Sequence, residues 1–206
     1  MEKNQREMLK KLMDDLRGIT YIKPQDLPNI DLYMDQVTTF MDQHLESTKR
    51  YSEDKLLTKT MINNYTKNDL LPSPVKKKYS KDHMVVLIFI YYLKNFMSIT
   101  DIRSLMHPIS ELFFDGKGEI SLDEIYEEIY EMEKGQAGIV TRDIINKAKL
   151  AEETFGDIQD DAQREYLRKF AYGCLLSYDI YMKRQMLERL IDENFIDKKD
   201  EKKEDK

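Results

Sequence analysis

Five residues between Leu57 and Asn68 have side chains suited to reading the edge of a nucleic-acid base: Lys59, Thr60, Asn63, Asn64 and Lys67. Asparagine can pair bidentately with adenine in a major groove, lysine can reach guanine or phosphate, and threonine can serve either. Further on, Lys76, Lys77 and Lys78 form an unbroken basic run that could track a phosphate strand. Each phosphate neutralised adds salt-sensitive affinity. Taken alone, the lysine run reads equally well as a solvated turn. Asn63 and Asn64 could likewise be capping or turn residues, since asparagine disfavours helix interiors. Two exposed amides in mid-helix are nonetheless easier to explain by a ligand than by stability.

Other chemistries find little support. A single cysteine, Cys174, excludes an intramolecular disulfide and a thiolate metal site, and its apolar helical context predicts a buried small residue. The three histidines, His44, His83 and His107, are far apart, and His83 near a helix start reads as structural or as a phosphate neighbour. Residues 113–124 imitate a calcium loop, but Phe113 and Lys117 would stand where the ion needs oxygen ligands. The acidic cluster Asp123, Glu124, Glu127, Glu128, Glu131 and Glu133 reads as a solvated helix face. There is no Ser-His-Asp grouping, phosphate-cradling glycine loop or paired-histidine motif. The expectation is a protein that is not an enzyme and uses no metal and no cofactor.

Charge sharpens the first reading. The 206-residue chain has a net charge of −6, but residues 1–108 carry +3 and residues 109–206 carry −9. Residues 49–81 alone carry +6, and a local patch matters more for phosphate contact than the whole-chain sum. The start, MEKNQREMLKK, lacks the apolar core of a signal peptide. The most apolar run, Met84–Leu93, is too short for a membrane span of about 20 residues. A cytoplasmic protein is expected.

The elements that must position these residues are helical. Seven glycines and five prolines in 206 residues leave few breakers, so the fold class is all-α, mainly helical. Residues 1–17 predict a short amphipathic helix, and Pro24 and Pro28 an extended arm or loop over 19–30. Asp31 is placed to cap a helix running to Leu45, and 46–55 reads as a polar loop. Thr58 would cap a helix to Asn68, with Met61, Ile62 and Tyr65 facing inward. Leu70-Leu71-Pro72-Ser73-Pro74 breaks the chain, and Val75–Tyr79 suits a small hairpin or wing. Ser80 would cap a core helix over about 81–96. Ser98 or Thr100 would start another through Met106, stopped by His107-Pro108. Beyond that, helices are expected at 108–114, 121–134, 140–154 and 158–194, with a disordered charged tail from 197.

The run Met61-Ile62-Asn63-Asn64-Tyr65, then Leu70-Leu71-Pro72, Lys78-Tyr79-Ser80 and Ser98-Ile99-Thr100-Asp101-Ile102, resembles the MerR-type winged helix-turn-helix. More closely, LTKTMINNY and KKKYSKDH resemble a bacterial domain-of-unknown-function family, number 1836, some members of which are described as transcriptional regulators. This second resemblance covers roughly residues 25–110 well and the C-terminal half more loosely. It departs from the MerR pattern at Asn63, where arginine is usual, at Asp69, where glycine is usual, and in the long link before Thr58. The organisation expected is an N-terminal helix and arm over 1–24, then, as the resemblance implies, a winged helix-turn-helix DNA-binding domain with a small basic wing over 25–108. A helical dimerisation or effector domain would come next over 109–196, then the tail over 197–206.

The function expected is a DNA-binding transcriptional regulator, a repressor acting on double-stranded DNA as a homodimer. Lys59, Thr60, Asn63, Asn64 and Lys67 would read or position on the major groove, and Lys76, Lys77 and Lys78 would form the wing. The C-terminal helix around Phe170–Leu190 would make the dimer. The alternative is a protein-interaction module that keeps the winged-helix shape without binding DNA. Phe170, Tyr172, Tyr178 and Tyr181 could line an effector pocket, though core packing explains them more simply.

Overall fold

The computed structural model describes residues 22–195 and Lys10; the helix expected over 1–17 and the tail from 197 lie outside the described residues. The described part is mostly helical and divides into two units, 22–131 with 187–195, and 132–186.

In the first unit, two short strands, β1 (Leu32–Tyr33) and β2 (Lys78–Tyr79), pair antiparallel, Leu32 opposite Tyr79 and Tyr33 opposite Lys78. Helix α1 (Met34–Leu45) follows directly and buries Val37, Met41 and Leu45, spaced at single helical turns. Asp31 is not its cap, because Leu32 and Tyr33 are drawn into the strand pair. The capping position falls to Tyr33, whose N–H is accepted by Gln36 Oε1 at 2.8 Å. The segment before β1 is no free arm either. Ile22 and Leu27 are buried, and the Tyr126 hydroxyl donates to the Ile22 carbonyl at 2.5 Å.

The link 46–58 is polar but anchored. Asp54 Oδ2 accepts the N–H groups of Arg50 and Tyr51 at 3.1 and 3.0 Å, while Leu56 and Leu57 enter the core. Lys94 Nζ donates to the Leu56 carbonyl, and burial pushes the Lys94 amine below its ordinary range. Helix α2 (Lys59–Lys67) comes next. Helix α3 (Lys81–Leu93) is the centre of the unit, with Met84–Ile88, Ile90 and Tyr91 all buried. A helix apolar on most sides must be enclosed on most sides, and this one is.

Helix α4 (Ile99–Phe113) does not stop at His107-Pro108 but runs through Pro108. The proline removes one backbone donor. Ile102 and Met106 are buried before it, and Ile109 and Phe113 pack on the core after it, so one apolar face spans the interruption. Helix α5 (Leu122–Glu152) is continuous where two helices were expected, and Gly135 and Gly138 lie within it. It is followed by α6 (Asp161–Asn194).

In the second unit, Lys147 on α5 is ion-paired with Asp143 one turn before it and with Asp179 on α6 at 2.7 Å. These pairs raise the Lys147 amine and lower the Asp179 carboxyl from their ordinary values. Arg168 Nε donates to the Thr154 carbonyl at 3.1 Å. Cys174 is exposed rather than buried, and so are Phe170, Tyr178 and Tyr181. These aromatic residues therefore do not form a core. Among the described residues no helix is long and apolar enough to cross a membrane.

Candidate nucleic-acid interface

Helix α2 forms where the sequence places it. Thr58 caps it, its Oγ1 accepting the Met61 N–H at 3.2 Å. This satisfies one of the orphan donors of the first turn. Ile62 and Tyr65, three apart, are buried, with Met61 half-buried beside them. The other face carries Lys59, Thr60, Asn63, Asn64 and Lys67, all exposed. Every residue expected on the outer face of this helix is there.

The helix ends in a compact stop. The Leu70 N–H reaches back to the Tyr65 carbonyl at 2.9 Å and the Asp69 N–H to Thr66 at 3.3 Å, with Asp69 left-handed at φ 55°. This is a Schellman closure, whose left-handed position glycine occupies most readily. Buried Leu70 and Tyr65 supply its hydrophobic contact. Asp69 also faces Arg103 of α4 at 3.6 Å.

The lysine run forms a tight turn. Val75 and Lys78 pair, the Lys78 N–H donating to the Val75 carbonyl at 3.0 Å. Lys76 and Lys77 occupy the two central positions with φ of 50° and 64°. Positive φ at both central residues is the type I′ pattern, which normally selects Asn-Gly. Here it lifts two exposed ammonium groups to the tip. Lys78 is half-buried, and its Nζ lies 5.5 Å from the centre of the Tyr33 ring.

The helix and the turn meet at the β1–α1 junction. Lys59, the first residue of α2, is ion-paired with Asp35. Lys78 rests on Tyr33, two residues earlier in the chain, so the start of α2 and the base of the turn flank the single segment Tyr33–Asp35. Asp35, Tyr33 and Arg103 were not singled out from the sequence. A two-residue strand carries no readable periodicity, and contacts between distant segments leave no local signal.

His83 anchors the chain just beyond the turn. Its Nδ1 accepts the Ser80 N–H at 3.0 Å, closing the cap of α3. The ring meets Tyr79 and Phe114 edge-on at 5.5 and 4.8 Å. Since Nδ1 is an acceptor, the proton of the neutral ring sits on Nε2, which is buried. Burial pushes the imidazole below its ordinary range, against the opposing pull of the Ser73 carbonyl and the carboxylates of Asp115, Asp82 and Asp31. Nearby, Asp82 accepts the Asp115 N–H at 2.8 Å, and Lys81 is paired with Asp123 at 2.6 Å. Two of the acidic residues read as a solvated face are thus engaged, Asp123 with Lys81 and Glu124 with the Ser121 hydroxyl at 2.6 Å. Among the described residues no three His, Cys, Asp or Glu side chains are grouped to hold a metal ion.

Residues 22–129, just over half of the chain, match the family described as a domain of unknown function, DUF1836, and the chain belongs to that family. No curated protein and no solved structure matches it.

Proposed function

We propose that this DUF1836 member is a DNA-binding transcriptional regulator of the cytoplasm, not an enzyme, acting as a homodimeric repressor. One observation carries the reading: an exposed, capped helix face of lysine, threonine and asparagine meets a Lys-Lys turn at the same short segment, Tyr33–Asp35. The order β1, α1, α2, tight turn, β2, α3, α4 supports a MerR-like winged helix-turn-helix in which α2 enters the major groove. Lys76 and Lys77 then contact the adjacent phosphates. Asn63 and Asn64 face outward, and neither side chain makes a hydrogen bond among the described residues, so both amides are available to base edges. In this reading a homodimer presents one α2 to each half of a two-fold site, and repression would act by occupying that site.

Titration of a labelled duplex from the protein's own promoter region, at rising salt, tests this. Binding should weaken steeply with salt. Changing Lys76 and Lys77 to Ala should flatten the slope of log affinity against log salt by about 2, near 0.9 per lost phosphate contact. No duplex binding at low salt would overturn the reading.

A further inference from the structure

Among the described residues the second unit has almost no core of its own. Between 132 and 186 the fully buried side chains are those of Ala148 and Ala151. Helices in proteins owe most of their stability to packing an apolar face, and that face must be covered by a further element. On α5 such a face stands open. Met132, Ile139 and Leu150 are 62%, 53% and 56% exposed. They follow one another by two and by three helical turns, which sets them in one row. Gln136, Asp143 and Asn146 fall between them, with Asp143 held by Lys147. Gly135 lies beside the row, where an added Cβ would meet nothing within 4 Å.

We propose that residues 1–17 of this same chain dock on this row as a third helix of the second unit, antiparallel to α5. The segment has the matching surface. Met8, Leu9, Leu12, Met13 and Leu16 recur at helical spacing. Lys10, which falls outside that apolar face, is helical and exposed.

The tether places the segment at this row rather than elsewhere. Ile22 is buried, and its carbonyl accepts the Tyr126 hydroxyl at 2.5 Å. Tyr126 lies on α5 itself, ahead of Met132 by a rise of about 9 Å. Only residues 18–21 separate Ile22 from the segment, and the chain from Arg17 to Ile22 can extend by about 18 Å. Arg17 is therefore within reach of Met132. Leading away from that point, residues 1–17 cover about 25 Å as a helix, close to the ~27 Å from Met132 to Leu150. With Arg17 at the Met132 end, the segment runs antiparallel to α5. A second copy has no such tether.

Neither DNA binding nor a homodimer enters here, so the test uses no DNA. In hydrogen exchange on the full-length chain, amides of 8–16 and of 135–150 should be protected together. Leu9→Asp with Leu12→Asp should speed exchange of both stretches at least tenfold, while α3 keeps its wild-type rates and so reports an intact first unit. Lys10→Asp, outside the apolar face, should change neither stretch. Unchanged exchange over 135–150 in the Leu9 and Leu12 variant would overturn the proposal. Lysine cross-linking of the wild-type chain decides the matter even where that variant fails to fold. In an equal mixture of ordinary and isotope-labelled chains, Lys3 should link to Lys149 and Lys11 to Lys134 within one isotopic species. Links that join the two species would give the row to another copy and overturn the proposal. Lys3 linked to Lys134 and Lys11 to Lys149 would overturn the antiparallel course, and no link between the segment and α5 would overturn the docking itself.

Discussion

Lys59 at the start of α2 is ion-paired with Asp35 at the start of α1, and both side chains are more than half exposed. A carboxylate thus sits inside the surface proposed to meet phosphate, where it holds one ammonium and subtracts from the local positive charge. It also ties α2 to the β1–α1 junction that carries Lys78.

Asp35→Asn should release Lys59 toward DNA. An exposed pair contributes at most about 1 kcal/mol, so duplex affinity should rise by up to about fivefold at low salt. The denaturation midpoint should hardly move. A loss of affinity would mean that Asp35 positions Lys59 rather than competing for it.

The turn at Lys76-Lys77 offers a sharper contrast between stability and binding. A left-handed conformation costs a non-glycine residue roughly 1–2 kcal/mol, and two such residues stand side by side at φ 50° and 64°. Replacing them with Asn-Gly, the favoured type I′ pair, should raise stability by about 1–2 kcal/mol in urea denaturation. The same variant should bind duplex more weakly and with a shallower salt slope. Strain retained at an exposed basic tip is what a functional turn predicts.

Asp69 stands where the closure of α2 calls for glycine. Asp69→Gly should gain about 0.5 kcal/mol net, the relief of the left-handed position exceeding the unfolded-state entropy that glycine adds. The exposed contact to Arg103 lost in the change is a weak one at 3.6 Å. A marked fall in melting temperature would show that Arg103 depends on this carboxylate.

His83 makes the first unit sensitive to mild acid. Its folded pKa lies below the unfolded value of about 6.5, so the unfolded chain takes up the proton first as pH falls. Its contribution is fully present above about pH 6.5, declines below that, and levels off once pH passes the folded value. Gln at this position can still close the cap of α3 but does not titrate. The stability difference between the wild-type chain and His83→Gln should therefore shrink between pH 7.5 and 5.5, as read by urea denaturation at each pH.

Local chemistry was legible in the sequence. The cap at Thr58, the inward Ile62 and Tyr65, the outward Lys59, Thr60, Asn63, Asn64 and Lys67, and the buried helix around Met84–Tyr91 all depend on neighbours within one or two turns. Periodicity and capping report those neighbours directly. Membership of the DUF1836 family was legible for the same reason, from short runs of residues. Helix ends were read less well. Pro108 and the pair Gly135 and Gly138 look like stops by local preference, yet α4 and α5 pass through them. In α4 the packed face of Ile102, Met106, Ile109 and Phe113 accounts for this; for the continuity of α5 across its glycines no comparable contact is found among the described residues.

Long-range pairing belonged to the tertiary structure alone. β1 exists because Leu32 and Tyr33 find Tyr79 and Lys78 more than forty residues away, and that pairing displaced the expected cap at Asp31. Apolar helical spacing suggests a core position for Cys174 but cannot say which face of α6 packs inward, and in the structure Cys174 is exposed. The exposed residues of α2 and of the lysine turn proposed to touch a nucleic acid were therefore set by sequence. That α2 and the turn meet at Tyr33–Asp35, with a carboxylate between them, was decided by the fold, because only packing brings distant segments within reach of one another.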